Sequence, residues 1–199
     1  MQKQEEYVLR TVEERGIRFI RLWFTDILGF LKSFAITPAE LQTAFEEGVR
    51  FDGSAIDGFS RNREADMLAR PDPTTFQILP WHDGAADVAR MFCDIVTPEG
   101  EAFSGDPRAV LKRNLQRAHD LGFTFYIGPE VEYFYFKDTG AEPQTLDRGG
   151  YFDLTPLDVA QEYRRHTITA LEHLGIPVGS SHHEVSPSQH ELGLRHTDA

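Results

Sequence analysis

Four glutamates in two short segments are the residues of this chain best able to do chemistry. Glu130 and Glu132 lie within 128–136, and Glu184 and Glu191 lie within 181–191. If 128–136 is a β-strand, side chains two positions apart point to the same face, so Glu130 and Glu132 project together. Carboxylates placed side by side repel each other. Such a pair is typical of a site for Mg²⁺ or Mn²⁺, hard cations that prefer oxygen ligands.

Apolar residues on both faces of the first segment predict that its strand is buried. Val131, Tyr133 and Tyr135 alternate with the two glutamates, and Phe134 and Phe136 continue the glutamate face. A strand that is apolar on both sides is typical of a core. Buried carboxylates need a compensating cation. The alternative is a pair that faces bulk water on an edge strand, and this would count against a metal site.

The second segment combines two glutamates with two adjacent histidines. The odd spacing between Glu184 and Glu191 would place them on opposite faces of one continuous strand. Pro187, which lies between two serines, predicts a turn that lets them converge from separate arms. His182 and His183 should point to opposite faces, and no cysteine lies nearby, so a structural zinc site is disfavoured. One of the two is expected to hydrogen-bond a substrate or a ligating carboxylate.

A third candidate is the segment 51–59, which reads Phe-Asp-Gly-Ser-Ala-Ile-Asp-Gly-Phe. A carboxylate such as that of Asp52 could attract a cation or accept a proton. Asp and Gly are also frequent in loops for conformational reasons alone. By itself, the segment leaves both interpretations open.

The N-terminal half is predicted to form a small sheet wrapped around one helix. A polar helix over 3–15 should stop before Gly16. Thr37-Pro38 should open a second helix, with Glu40 closing a capping box and Gly48 ending it. The polar, aperiodic segment 51–70 is interpreted as a long ordered loop. Strands are predicted over 17–24, 30–36, 75–80 and 87–96.

The C-terminal half is predicted to carry the glutamates between two further helices. Asp106-Pro107 should start a helix that ends at Leu121-Gly122, and Thr155-Pro156 should start another that ends at Gly175. Between these helices we expect the strand 123–136 and a surface loop over 138–150. A Pro- and Gly-bearing stretch near 97–106 predicts a domain boundary, which gives domains 1–103 and 104–199 of an α+β protein.

Composition excludes several classes of protein. A hydrophobic share of 40% with 15 Phe can fill a core, so a disordered chain is excluded. The net charge of −12 argues against nucleic acid or an anionic membrane as partner. The single cysteine, Cys93, fits a reducing compartment and is interpreted as core filler. Because the sequence has neither a signal peptide nor an apolar run of about 18 residues, we expect a cytoplasmic location.

Taken together, these segments resemble the glutamine synthetase family in its type I bacterial form. Residues 51–56 are similar to the family's latch loop, and 64–76 to the segment after it. Gly-Pro-Glu-Val-Glu-Tyr-Phe at 128–134 and His-His-Glu-Val-Ser-Pro-Ser-Gln-His-Glu at 182–191 are similar to its two metal-ligand motifs. Arg21 to Asp26, with Gly29 and Lys32, resembles its opening β-hairpin. The resemblance spans nearly the whole chain.

The resemblance implies an N-terminal β-grasp domain over 1–103 and, over 104–199, the first part of a catalytic domain built on an antiparallel sheet. In the family, ATP phosphorylates the γ-carboxylate of glutamate, and ammonia displaces phosphate from the acyl phosphate. Two Mg²⁺ or Mn²⁺ ions take part. Carried over, Glu132, Glu184 and Glu191 would ligate one ion and Glu130 would help to hold the other, while Glu132 and Glu184 also contact substrate.

Asp52 matches the latch aspartate, which would bind ammonium and assist its deprotonation in the site of a neighbouring subunit. The family's assembly is a dodecamer of two stacked hexameric rings, so active sites are shared between subunits. The partners implied are glutamate, ammonia, ATP and further copies of the chain.

The sequence also departs from the family pattern. Family members run more than twice this length, so we expect the chain to hold only part of the active site and to be inactive alone. Gly179 stands where many members place a nucleotide-contacting glutamate, and 192–199 departs from the usual acidic and aromatic pattern. Two alternatives therefore stay open: a γ-glutamyl ligase for another amine, and an inactive fragment limited to subunit association.

Overall fold

The computed structural model describes residues 2–56, 66–81 and 87–199, and the chain divides into two compact units, 1–123 and 124–199. The helix over 107–120 belongs to the first unit by its contacts. The predicted boundary between 103 and 104 follows chain composition rather than contacts and stays a prediction. Among the described residues, no helix is long and apolar enough to cross a membrane.

The first unit is a mixed sheet with helices packed against it. The elements are α1 (Gln2–Glu14), β1 (Phe19–Thr25), β2 (Leu31–Ile36), α2 (Leu41–Glu47), β3 (Val49–Asp52), β4 (Asp66–Pro71), β5 (Gln77–Ile78), β6 (Val88–Val96) and α3 (Pro107–Asp120). The strands follow the order β2-β1-β6-β4-β3, and β5 pairs with β6. The β1–β6 pair is parallel and the other pairs are antiparallel.

The core of the first unit lies between this sheet and helices α1 and α2. Val8 of α1, Leu41 of α2 and Met91 of β6 are fully buried in one cluster. Cys93 is fully buried in the same cluster, which confirms it as core filler. Burial raises the pKa of its thiol far above the usual range, so the thiolate is disfavoured.

Two expectations for the first unit are wrong. The segment 51–70 is not one loop, because β3 and β4 pair across it from Val49–Ala69 to Asp52–Asp66; residues 57–65 lie outside the described chain. The capping box at Thr37 does not form, since its side chain makes no capping hydrogen bond and a 3₁₀ turn, Pro38–Glu40, precedes α2. The cap at Asp106 is confirmed: its carboxylate accepts from the Arg108 N–H at 3.0 Å.

The second unit is built on a three-stranded antiparallel sheet and a short two-stranded pair. Its elements are β7 (Tyr126–Ile127), β8 (Glu130–Phe134), α4 (Gln161–His173), β9 (Val178–His183), β10 (Gln189–Leu194) and β11 (Thr197–Asp198). The three-stranded sheet has the order β8-β10-β9, and β7 pairs with β11. Helices combined with sheets whose strand pairs are antiparallel except for β1–β6 confirm the α+β class.

The strand predicted over 123–136 is shorter than expected and is not buried. It is interrupted at Gly128-Pro129, and within the described residues β8 is an edge strand that pairs only with β10. Val131 on one face is 43% exposed, and Phe134 on the other face is 46% exposed. The alternation therefore predicts the strand correctly, but its burial is only partial: Tyr133 and Tyr135 are half-buried, and Tyr135 contacts Tyr163 of α4.

Helix α4 begins at Gln161, later than the predicted start at Thr155. Asp158 turns inward, where its carboxylate accepts from the Ala160 N–H at 3.1 Å and from Arg164 at 2.6 Å. These bonds hold the residues before the helix in a turn. The loop over 138–150 is exposed for most of its length, but Asp147 and Gly149 are buried, contrary to the prediction of a surface loop.

Candidate metal centre

The register of the three-stranded sheet places two of the predicted glutamates and one histidine in a row. Glu191 on β10 lies opposite Glu132 on β8 and opposite His182 on β9. Residues directly opposite in an antiparallel sheet share a face. The row therefore presents two carboxylates and an imidazole on one side of the sheet.

Glu184 joins this row from the turn between β9 and β10. Its Oε1 lies 2.8 Å from His182 Nε2, and Glu191 Oε2 lies 3.7 Å from the same nitrogen. One ligand atom from each of the three residues lies within 4.8 Å of the others. The prediction that Glu184 and Glu191 converge across a turn is confirmed. We call Glu132, His182, Glu184 and Glu191 the acidic cluster.

The two central carboxylates of the acidic cluster differ electrostatically. The Val185 backbone N–H and the His182 side chain hydrogen-bond the Glu184 carboxylate and lower its pKa. Burial raises the pKa of Glu191; the charge of His182 opposes this shift, and the negative charges of Glu130, Glu184 and Glu132 add to it. The negative charge on Glu191 is therefore incompletely balanced.

The donor set of the acidic cluster fits a hard divalent cation. The side chains of His182, Glu184 and Glu191 are only 15–17% exposed, so a bound ion would be partly desolvated there. Carboxylate oxygens are the ligands that Mg²⁺ and Mn²⁺ prefer. His182 Nε2 is within hydrogen-bond distance of Glu184, which suits a residue that orients the carboxylate.

Glu130 and Glu132 are exposed rather than buried, which corrects the expectation that they face a closed pocket. The reason is again that β8 is an edge strand. Exposure removes the argument that burial alone demands a cation at this pair. Glu132 is still part of the acidic cluster, because it lies opposite Glu191 on the same face of the sheet. Its carboxylate accepts a hydrogen bond from Gln189 Nε2 at 2.6 Å. Glu130 lies two residues earlier on the same face, opposite Gly193.

His182 and His183 point to opposite faces of the sheet, as the sequence predicts. On the face away from the acidic cluster, His183 lies opposite His190, which in turn lies opposite Tyr133. Burial lowers the pKa of His183, but its hydrogen bonds to Asp147 and to the Glu184 carbonyl outweigh burial and raise the pKa overall. The imidazole is therefore stabilised in its charged form.

Four buried polar residues of this second face were missed by sequence reasoning: Asp147, Asp158, Arg164 and His190. Arg164 Nη2 donates to Asp158 at 2.6 Å, and Nη1 donates to His190 Nδ1 at 2.9 Å. Burial and the Arg164 charge lower the pKa of His190 to about 4, so its ring is neutral. No periodicity marks these residues, because they come from a loop, a turn, a helix and a strand.

Asp52 lies in the first unit, at the end of β3. Its carboxylate accepts hydrogen bonds from the Ser54 N–H at 2.8 Å and from the Ser54 hydroxyl at 2.6 Å. These bonds lower the pKa of Asp52, so the carboxylate is ionised at neutral pH. Part of the segment 51–59 that suggested a functional loop, 57–59, lies outside the described residues.

Comparison with protein families matches both halves of the chain. Residues 16–98 match the family model for the glutamine synthetase β-grasp domain, and residues 104–199 match that for the glutamine synthetase catalytic domain.

Curated relatives match over the whole chain but extend well beyond it. A glutamine synthetase of Mycolicibacterium smegmatis is 57% identical over 204 aligned positions, which are 100% of this chain and 46% of that relative. A glutamine synthetase of Methanosarcina mazei is 51% identical over 98% of this chain and 44% of its own length. The chain thus spans about half the length of the curated relatives that it matches.

Solved structures show the same likeness of fold. A glutamine synthetase of Plasmodium falciparum, solved by cryo-EM, covers 98% of this chain and 44% of its own at a TM-score of 0.86; at 21% identity it supports the fold alone. GmaS in complex with ADP gives a TM-score of 0.83 at 25% identity, over 96% of this chain and 44% of its own. With both domain models matched in order and relatives more than half identical along its length, the chain belongs to the glutamine synthetase family.

Proposed function

We propose that this chain supplies part of the active site of a glutamate–ammonia ligase, which forms glutamine from glutamate, ammonia and ATP through a γ-glutamyl phosphate. The observation that carries the proposal is the convergence of Glu184 and Glu191 with His182, together with the position of Glu132 directly opposite Glu191 on β8. Identities of 46–57% to curated glutamine synthetases support it.

The acidic cluster would hold one divalent ion, Mg²⁺ or Mn²⁺, through Glu132, Glu184 and Glu191. Glu130, on the same face, would help to hold a second ion. When bound, such ions supply positive charge that lets an anionic carboxylate approach an anionic γ-phosphate. The protein's own contribution is to orient these carboxylates. His182 bonds Glu184, and Gln189 bonds Glu132, so both carboxylates are held before any substrate binds.

Asp52 would bind ammonium at the site of a neighbouring subunit and help to remove its proton. The lowered pKa of Asp52 supports the first role more strongly than the second, because an ionised carboxylate attracts a cation but is a weaker base. Sharing of this kind requires further copies of the chain. We therefore propose a homo-oligomer, a dodecamer of two stacked rings. We also propose a cytoplasmic location.

A γ-glutamyl ligase that uses a larger amine is the alternative within the same class. Gly179 motivates it, and packing does not explain the glycine, because a Cβ there would make only ordinary contacts, the nearest with the Gly193 carbonyl oxygen at 3.4 Å. The curated relatives, 46–57% identical to this chain, are named glutamine synthetases, and this favours ammonia as acceptor.

Metal binding tests the proposal on the chain itself. Titration of the 199-residue chain with Mn²⁺, followed by loss of the EPR signal of free Mn²⁺, should reveal binding. Glu191→Gln should weaken it by about tenfold or more, since losing a ligand costs at least as much as losing a residue that supports one. Glu142→Gln removes an exposed carboxylate from the same unit and is the matched control. Equal Mn²⁺ binding by all three proteins would contradict the proposed site.

Activity is tested in a chimera in which this chain replaces the aligned part of the Mycolicibacterium smegmatis relative. The chimera should release phosphate from ATP only when glutamate and ammonia are both present, and ethanolamine or a polyamine should substitute poorly. The isolated chain should form no glutamine, since positioning of two anions needs the complete site. A preference for the larger amine would favour the alternative. Glutamine formation by the isolated chain would show that it is not a partial site.

A further inference from the structure

The turn that carries Glu184 is held in a conformation that needs external support. The Glu184 N–H donates to the Gln189 carbonyl at 2.8 Å, and the Gln189 N–H donates to the Ser186 carbonyl at 3.0 Å. Ser188 has φ 64°, in the left-handed region that residues other than glycine adopt only at an energetic cost. Such a conformation persists only when surrounding contacts impose it.

Asp147 supplies those contacts by bonding Ser188 in both directions. The Asp147 N–H donates to Ser188 Oγ at 2.9 Å, and the Ser188 N–H donates to Asp147 Oδ1 at 2.8 Å. Both residues are buried, so water does not compete for these bonds. The loop before α4 is thereby fastened to the β9–β10 turn at its most strained residue.

The same carboxylate reaches the other end of the turn through His183. His183 Nε2 lies 3.0 Å from Asp147 Oδ1, and its Nδ1 donates to the backbone carbonyl of Glu184 at 2.7 Å. The imidazole lies against Gly149, where even a Cβ would come within 2.7 Å of Nε2. The ring therefore has no freedom to leave this position while the Asp147 loop is in place.

A second metal site on this buried face is the competing explanation, since ligand atoms of Asp147, His183 and His190 also lie within 4.8 Å of one another. The hydrogen bonds argue against it. Arg164 can only donate, so His190 Nδ1 accepts its bond and Nε2 must carry the ring proton. His183 Nε2 is already directed at Asp147. In this arrangement, neither the His183 nor the His190 ring has a nitrogen lone pair free for a cation.

From these contacts we infer that Asp147 is a positioning residue for the proposed metal centre: it clamps Ser188 and His183, and so fixes the backbone of Glu184 that aims the ligating carboxylate at the acidic cluster. The inference rests on the proposed function for the identity of the ligand, a divalent cation. Asp147 acts through the protein, from the face of the sheet opposite to that cation.

The test compares the full 199-residue wild-type chain with Asp147→Ala and Asp147→Asn. Alanine removes the carboxylate bonds to Ser188 and His183 and leaves the bond from the Asp147 backbone N–H to Ser188 Oγ. Asparagine keeps a side-chain oxygen that can accept from Ser188 and His183. We expect Asp147→Ala to weaken Mn²⁺ binding by about 10–100-fold, the usual cost of losing a residue that supports a metal ligand. Asp147→Asn should bind Mn²⁺ with an affinity between those of Asp147→Ala and the wild type.

Amide hydrogen exchange without metal gives a second, independent readout. Exchange at the Glu184 amide, relative to the slowest amides of β10, should accelerate in Asp147→Ala. Asp26→Ala is the control for a lost buried carboxylate, because Asp26 anchors a turn in the first unit through the Leu28 and Phe30 amides. It should lower stability while leaving Mn²⁺ affinity and the relative exchange at Glu184 unchanged.

Each outcome decides the inference. Wild-type Mn²⁺ affinity in Asp147→Ala, or unchanged exchange at Glu184, overturns it. A wild-type chain that binds no Mn²⁺ overturns the proposed metal site, and accelerated exchange in the variant would still show that Asp147 positions Glu184. If Asp147→Ala does not fold, Ser188→Ala removes one bond of the clamp; both readouts should then move in the same direction, and unchanged values would overturn the inference.

Discussion

Glu191 shows how sheet register can assemble a cation site from residues that are distant in the chain. It meets Glu132 and His182 because both lie directly across from it on neighbouring strands. The same two-residue alternation sends His183 to the opposite face, where it supports the turn instead of the cluster. Adjacent histidines thus have different roles because a strand has two faces.

Gly193 offers a residue-scale test of how tightly this sheet is packed. It lies opposite Ser180, and a Cβ added to it would come within 2.5 Å of Ser180 Oγ but 3.9 Å from Ser180 Cβ. Gly193→Ala should therefore destabilise the chain by about 1–3 kcal/mol, the typical cost of overpacking. Urea unfolding followed by far-UV circular dichroism measures the effect.

Ser180→Ala provides the control, because it removes the one side-chain atom that the new methyl group would strike. The double variant Ser180→Ala/Gly193→Ala should recover much of the lost stability, with a coupling of about 0.5–3 kcal/mol. Strictly additive effects would show that Ser180 simply rotates away, and that the glycine has no packing role.

At the scale of elements, the sequence predicts where helices and strands lie better than it predicts what covers them. Alternation identifies β8, and the N-cap rule identifies the start of α3, because both signals are local. The burial of β8 depends on partners that alternation does not specify, and the start of α4 depends on the Asp158–Arg164 pair. Long-range polar pairs of this kind leave no periodic trace.

The candidate site divides in the same way. The convergence of Glu184 and Glu191 follows from a turn signal at Pro187 and could be predicted from the sequence. The part played by Asp147 could not, because a loop aspartate beside glycines is indistinguishable in sequence from an ordinary surface turn. Its burial becomes visible only when the loop is placed against Ser188 and His183.

Asp106 carries the prediction at this scale, because one buried carboxylate joins α3 to β6. Its Oδ1 accepts from the Arg108 N–H, and its Oδ2 accepts from the Ile95 N–H at 3.1 Å. Asp106→Ala should cost about 0.5–2 kcal/mol for the lost cap and about 1–3 kcal/mol more for the unpaired Ile95 N–H. Asp106→Asn keeps the cap and should cost less. Urea unfolding of the three proteins measures the difference.

The pH dependence of this effect has a definite sign. Burial raises the pKa of Asp106 more than its backbone hydrogen bonds lower it, so the folded state holds the proton more tightly than the unfolded state. Its contribution to stability is therefore largest below the unfolded value of about 3.9 and declines as pH rises through the folded pKa. The advantage of wild type over Asp106→Asn should shrink toward neutral pH; a growing advantage would contradict this assignment.

At the scale of the whole molecule, the two units differ sharply in how much apolar surface they bury. In the described part of the first unit, a hydrophobic cluster joins helices α1 and α2 to the sheet. In the second unit, which the structure describes throughout, Ala160 and Leu192 are the buried hydrophobic residues, and most other buried side chains are polar. Many of its aromatic residues are exposed, among them Phe125, Tyr126, Phe134, Phe136, Tyr151 and Phe152.

This asymmetry predicts that the second unit of the isolated chain unfolds before the first. Burial of apolar surface is the main stabilising contribution, so the unit with little of it should lose structure at lower urea concentration. Both tryptophans, Trp23 and Trp81, lie in the first unit, so tryptophan fluorescence reports on that unit alone, whereas far-UV circular dichroism reports on both. The circular dichroism transition should begin at lower urea than the fluorescence transition, and ANS should bind the native chain through the exposed aromatic surface. Coincident transitions would instead show one cooperative unit, and would mean that the polar network around Asp147 and Arg164 stabilises the second unit as effectively as a hydrophobic core.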